Sequence, residues 1–134
     1  MRSSVFVVAT GERLVTDLTD RVAAFAAESA ADGLLHVFAP HATAGLALIE
    51  TRSGTEADLD TVLRAVLPAD DRYVHRHGSR GHGRDHVLPA LVSPSLVLSV
   101  LAGELQLGTW QSVVLVDPNV DNAERTIRLS LLEG

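Results

Sequence analysis

Leu96-Val-Leu-Ser-Val-Leu101, Trp110-Gln-Ser-Val-Val-Leu-Val116 and Thr126-Ile-Arg-Leu-Ser-Leu131 are the three runs on which the fold turns. Each is dominated by branched apolar residues and bounded by turn formers, so each predicts a β-strand. Gly103-Glu104 predicts a turn after the first of them. Upstream, Val5–Ala9 and Leu34–Phe38 read the same way, and Thr10-Gly11 returns the first strand through Arg13 to Val15. Leu46–Ile49 is apolar at consecutive positions, which predicts burial on both faces.

Two stretches keep helical spacing. Thr16 or Asp17 caps the first, which carries Leu18, Val22, Phe25 and Ala26 on one face and stops at Asp32-Gly33. Ser53-Gly-Thr-Glu56 has the form of a capping box ahead of the second. Its stripe is Leu59, Val62, Leu63 and Val66, Asp58 lies at the flank, and Pro68 ends it. Two helices and roughly seven strands, arranged in runs, predict an α+β fold with a mixed, largely antiparallel sheet or sheets. Residues 1–134 form a single domain. Two helices cannot cover both faces of such sheets, so association through a sheet face or edge is expected.

The composition removes whole classes of function. A formal charge of −6 gives no basic surface for nucleic acid. With no cysteine, disulfides, thiolate metal sites and cysteine nucleophiles are excluded. The apolar run near the N-terminus is too short for a signal peptide or a membrane span, so a cytoplasmic protein is expected. No Walker loop, Rossmann fingerprint or nucleophile elbow is present, and no organic cofactor is predicted.

The candidate chemistry lies in three polar segments with tight backbone. The richest is Tyr73-Val-His-Arg-His-Gly-Ser-Arg-Gly-His-Gly-Arg-Asp-His86, which places His75, His77, His82 and His86 within twelve residues. Imidazole is the commonest protein metal ligand and titrates near neutral pH, so this loop either binds something or is solvated. His75 and His77 have strand spacing. Gly81 and Gly83 speak against the helix turn that would join His82 to His86. The other two segments are His41-Ala-Thr-Ala-Gly45, followed by a strand that ends at Glu50, and Gly108-Thr-Trp-Gln111 with the only tryptophan.

These pieces, in this order, resemble the YjbQ family of secondary thiamine-phosphate synthases. The resemblance rests on His41-Ala-Thr-Ala-Gly-Leu46 with Glu50, Asp58-Leu59, Tyr73-Val-His75, His86, Ser95 and Gly103-Glu-Leu-Gln-Leu-Gly-Thr-Trp-Gln111. It implies a YjbQ-like α+β fold, a homotrimer with pockets between subunits, and a site at His41, Glu50, Asp58, His75, His86 and Gln111. His77 and His82 fall outside the pattern and are expected to be solvated neighbours. The chain departs from the family at Ala42, Ile49 and Asp85, which bears on a hydrogen bond near His41 and on the substrate.

The implied reaction joins a pyrimidine-methyl diphosphate to a thiazole phosphate and expels pyrophosphate, a transferase chemistry that the family carries as a side activity. Glu50 and Asp58 would hold a divalent cation, while Arg76, Arg80 and Arg84 would bind phosphate. His75 or His86 would hydrogen-bond the departing diphosphate. In a second reading His41, His75 and His86 bind zinc or a similar ion and activate water, making a metal-dependent hydrolase; the divalent cation of the synthase reading would be magnesium. In a third the protein is a non-catalytic trimeric binder of a phosphorylated small molecule. None of the three readings involves nucleic acid or a membrane.

Overall fold

A computed structural model describes residues 1–134. In chain order the strands are β1 (Arg2–Ala9), β2 (Val15–Asp17), β3 (Gly33–Phe38), β4 (Gly45–Ile49), β5 (Ser95–Leu101), β6 (Glu104–Leu105), β7 (Ser112–Val116) and β8 (Glu124–Glu133). The helices are α1 (Thr19–Ala27), α2 (Thr55–Val66) and the single turn α3 (Leu88–Leu91), preceded by a 3-10 turn at His82–Arg84. The fold is α+β, as the strand-rich runs predict. Every strand pairing is antiparallel, so the mixed component of the expectation is absent.

The larger sheet has the order β1-β8-β3-β5-β6 and the smaller β2-β7-β4. Alternation decides the faces of the larger sheet. Val8, Leu35, Val37, Leu98, Val100, Ile127, Leu129 and Leu131 point inward and are buried with Val22, Phe25 and Ala26 of α1. Val5, Val7, Leu34, Val97 and Leu132 point outward and stay at least half exposed. No element covers that outer face.

Strand β7 lies at the centre of a second boundary. Val113 and Leu115 join the main core, while Val114 and Val116 pack with Leu63, Leu67 and Leu88 beneath α2 and α3. Both of its faces are therefore dry, the environment that sequence reading had placed at β4. In β4 only Gly45 and Leu46 are fully buried.

The helix ends depart from expectation in instructive ways. Leu18, not Thr16 or Asp17, occupies the N-cap of α1, while Asp17 just before it accepts from the Thr19 amide (2.9 Å) and hydroxyl (2.6 Å). The helix ends at Ala27, before Asp32-Gly33, and Asp32 instead accepts from the Ala102 amide at 2.7 Å. The expected capping box on α2 is not made. Glu56 accepts from the Arg52 amide at 2.9 Å, but Ser53 caps nothing and Gly54, at φ 94°, occupies the N-cap. The predicted strand Trp110–Val116 starts at Ser112, because Gln111 Oε1 accepts from the Gly108 amide (2.8 Å) and closes a turn.

Candidate metal centre

Beyond α2 the chain is held close to its own helix end. Tyr73 donates its hydroxyl to the Pro68 carbonyl at 2.8 Å, and buried Arg84 donates to the Leu67 carbonyl at 3.1 Å. Gly81, at φ 75°, turns the chain into the 3-10 turn. Gly83 has no room for a side chain, because a Cβ there would lie 2.5 Å from Tyr73 Cβ and 2.6 Å from the His75 carbonyl oxygen. The glycines that argued against a helix thus build a tighter turn. They bring His82 and His86 onto one side and press the irregular segment that carries His75 against it.

The outcome is a cluster of four imidazoles. His75, His77, His82 and His86 each offer a nitrogen, and these atoms lie within 4.8 Å of one another. The His75 ring meets His77 edge-on (ring centroids 3.9 Å) and lies tilted against His86 (4.0 Å), while His82 and His86 approach to 4.8 Å. The Nε2 atoms of His82 and His86 stand 2.9 Å apart. His82 is buried and His77 exposed, the other two lying between.

Two of the four imidazoles, His75 and His86, are poorly disposed to hold protons. Burial lowers the His75 and His86 pKa values, and the neighbouring histidines lower them further. Neutral imidazole is the metal-binding form. One atom also lacks a partner: His75 Nε2 is buried and makes no hydrogen bond. An orphaned ring nitrogen inside a cluster of imidazoles fits a metal ion. With bonds of 2.0–2.1 Å, a tetrahedral ion needs ligand nitrogens about 3.3 Å apart, so small ring movements would close the set around it.

The support behind His82 comes from the loop that follows β7. Asp121 Oδ2 lies 2.8 Å from His82 Nδ1 and also accepts from the Ser79 amide and hydroxyl, both at 3.2 Å. Those Ser79 bonds, the amide first, hold the Asp121 carboxyl below its ordinary range. Asn119 is buried and donates Nδ2 to Asp85 at 3.1 Å. Burial pushes the Asp85 carboxyl up, against the Asn119 bond. Sequence reading named none of Asn119, Asp121 and Ser79. The signal available was the density of turn-forming side chains in Asp117-Pro-Asn-Val-Asp-Asn122.

The remaining sequence candidates fall elsewhere. The metal set expected as His41, His75 and His86 is corrected, since the cluster joins His77 and His82 to His75 and His86 and leaves His41 out. His41 Nε2 is set against the Thr126 amide at 2.9 Å, extending the β3–β8 ladder with a side chain. Its pKa is lowered chiefly by burial. His77 and His82, expected to be solvated neighbours, are cluster members, and His82 is only 7% exposed. Glu50 and Gln111 lie beside Ile49–Ser112, the far end of the β4–β7 pairing from Gly45–Val116. Four residue steps of about 3.4 Å separate the two ends. There Glu50 and exposed Trp110 line a cavity of about 290 Å³ with Asp17, Asp20 and Arg52. Asp58 is exposed in the first turn of α2.

Of the three arginines expected to bind phosphate, two share one cavity with the histidines. Arg76 and Arg80 line a cavity of about 440 Å³ that has His75, His77 and His82 in its wall and no apolar residue. Both are exposed, and Arg80 also faces Asp71 at 3.4 Å. Arg84 is corrected: it is buried, bound to the Leu67 carbonyl and 3.4 Å from Asp85, so its role is structural.

A sequence model of the family described as UPF0047 protein YjbQ-like matches residues 4–134. The chain is 54% identical to UPF0047 protein Rv2556c of Mycobacterium tuberculosis over 100% of both chains. It is 31% identical to UPF0047 protein YjbQ of Salmonella typhimurium, covering 92% of this chain and 89% of that one. Among solved structures it is similar to the hypothetical protein APE1520 from Aeropyrum pernix, with a TM-score of 0.89 and 29% identity over 100% of both chains. A YbjQ-like protein of unknown function from Sulfolobus solfataricus shares the fold, at a TM-score of 0.91 and 24% identity, over 99% of this chain and 97% of that one.

Proposed function

The chain belongs to the YjbQ-like UPF0047 family, and from that premise we propose that it is a transition-metal enzyme acting on a phosphorylated small molecule. The observation that carries the reading is the cluster His75, His77, His82 and His86 with its unpartnered buried nitrogen. An all-imidazole set suits zinc, copper, nickel or iron, whereas magnesium and calcium prefer oxygen ligands. A bound ion of this kind supplies Lewis-acid polarisation and a more acidic water.

The protein's own groups would do the rest. Arg76 and Arg80 reach the same polar cavity as the histidines and suit phosphate oxygens. Asp70 and Asp71 line that cavity too, so the substrate must bring enough negative charge to compete with them. Hydrolysis at a phosphorylated group is the reaction this arrangement supports best.

The synthase reading stands second. It is favoured by the Gly103–Gln111 segment and by the Glu50–Trp110 cavity, which offers carboxylates and an exposed aromatic ring for a heterocycle. Within one chain that cavity lies at the opposite end of the smaller sheet from the histidines, so the transfer requires sites completed between subunits. We propose a homotrimer for the same reason, supported by the uncovered outer face of the larger sheet. The binder reading has no observation of its own in its favour.

The deciding experiment is elemental analysis of tag-free protein, wild type against His82→Ala and His86→Ala, paired with phosphatase and diphosphate-transfer assays. Near-stoichiometric transition metal, lost in both variants together with phosphate release, is the expected result. Wild-type protein that takes up no metal from zinc-supplemented medium would refute the reading.

A further inference from the structure

His82 sits between two partners that demand opposite tautomers. The Asp121 carboxylate, 2.8 Å from Nδ1, can only accept and so requires a proton on that nitrogen. The Asn119 amide nitrogen, 3.0 Å from the same Nδ1, can only donate and would leave the proton on Nε2. Asn119 cannot resolve the conflict by flipping. Its Oδ1 already accepts from the Asp121 amide (3.1 Å), the Asn122 amide (3.1 Å) and Asn122 Nδ2 (2.9 Å).

The conflict resolves in favour of Asp121 on two grounds. A hydrogen bond to an ionised acceptor is roughly twice as strong as a neutral one. The Asn119 donor, moreover, has the Asp85 carboxylate at 3.1 Å and is not orphaned when His82 keeps its Nδ1 proton.

We infer that Asp121 is a positioning residue that accepts the Nδ1 proton of His82 and so turns the Nε2 lone pair towards His75, His77 and His86. For its use the inference rests on the metal reading, and it deepens that reading. A carboxylate behind a ligating imidazole fixes ring orientation and raises ligand basicity. Asp121 is suited to this because Ser79 anchors it from the histidine loop itself, so carboxylate and ligand are held in register. The site thus comprises two segments far apart in sequence.

The test uses metal-free protein carrying ¹⁵N-labelled histidine at neutral pH, where the ring nitrogen shifts report the tautomer of each histidine. Zinc affinity is measured in parallel by competition with a chelating dye. Wild-type His82 is expected as the Nδ1–H tautomer. Asp121→Ala should move it to Nε2–H, with Asn119 then donating to Nδ1, and weaken zinc about 10- to 100-fold. Ser79→Ala, which keeps the Ser79 amide bond to Asp121, should leave the tautomer in place. Should Asp121→Ala not fold, Asp121→Asn keeps the shape without the charge and should shift the population the same way. Wild-type His82 found as Nε2–H, or an Asp121 variant that binds zinc weakly with an unchanged tautomer, overturns the inference. Wild-type protein without zinc affinity refutes the metal reading, while the tautomer still decides the role of Asp121.

Discussion

Arg125 grips Asp117 through two parallel bonds, Nε to Oδ2 at 2.7 Å and Nη2 to Oδ1 at 2.9 Å, and neither side chain is more than 4% exposed. The same Nη2 donates to Thr43 Oγ1 at 2.8 Å, and Asp117 Oδ1 accepts from the Asn119 amide at 3.0 Å. This pair therefore ties the turn after His41 to the loop that supports His82. Removing one partner leaves a buried charge, so Asp117→Ala should lower the unfolding free energy by about 3–5 kcal/mol. Replacing both by apolar residues (Asp117→Leu with Arg125→Met) should cost less than the single change. Urea titration followed by circular dichroism separates the two, and a double variant worse than the single one would contradict the argument.

The metal-free protein should weaken in mild acid. His41, His75 and His86 have folded pKa values below the ordinary value of about 6.5. Between those lowered values and 6.5 the unfolded chain binds more protons, so stability rises with pH through that window. It is fully present above 6.5 and is lost as pH falls through the folded values. Asp85, with its raised pKa, works in the opposite sense. A His75→Gln, His86→Gln double variant should flatten the dependence. Identical urea midpoints for wild type at pH 5 and pH 7.5 would rule the effect out.

Self-association should depend on the outer face of the larger sheet. Val5 and Val97 are both 60% exposed and Leu132 58%, on strands β1, β5 and β8 of one uncovered sheet face. Val97→Glu places a charge there without touching the core, and light scattering coupled to gel filtration should report a smaller species than wild type. An unchanged mass would locate the interface elsewhere.

Gly83→Ala tests whether close approach at the 3-10 turn shapes the histidine cluster. The new methyl must displace Tyr73 or the His75 backbone, a crowding that typically costs about 1–3 kcal/mol. Metal affinity should fall with stability, since His75 moves with the displaced chain. Wild-type zinc affinity in this variant would show that the cluster tolerates the shift.

The strands were legible because apolar alternation and branched residues leave few alternatives to a sheet. The uncovered sheet face was legible too, from the scarcity of helices. The histidines were half legible. His75 and His86 were singled out, but His82 was set aside because glycines on both sides argue against an α-helix and sequence spacing does not reveal a 3-10 turn. Asn119 and Asp121 were invisible for a different reason. Their role depends on a contact across 37 and 39 positions of chain, made only once β7 has delivered its loop beside His82. Glu50 and Gln111 sit near the Ile49–Ser112 pair, a neighbourhood that spacing within either segment could not disclose.

Strand β8 is the last strand in chain order, yet it lies between β1 and β3 and pairs with both. During synthesis, β1 and β3 therefore leave the ribosome with a gap between them that only the final strand fills. The earlier segments can collapse, but the sheet cannot close until translation has passed Glu124–Glu133. Folding is accordingly set by long-range pairing and belongs with the slow, high-contact-order class. Until that strand arrives, the unpaired edges of β1 and β3 are open to neighbouring chains, so a pause in translation shortly before it would favour aggregation.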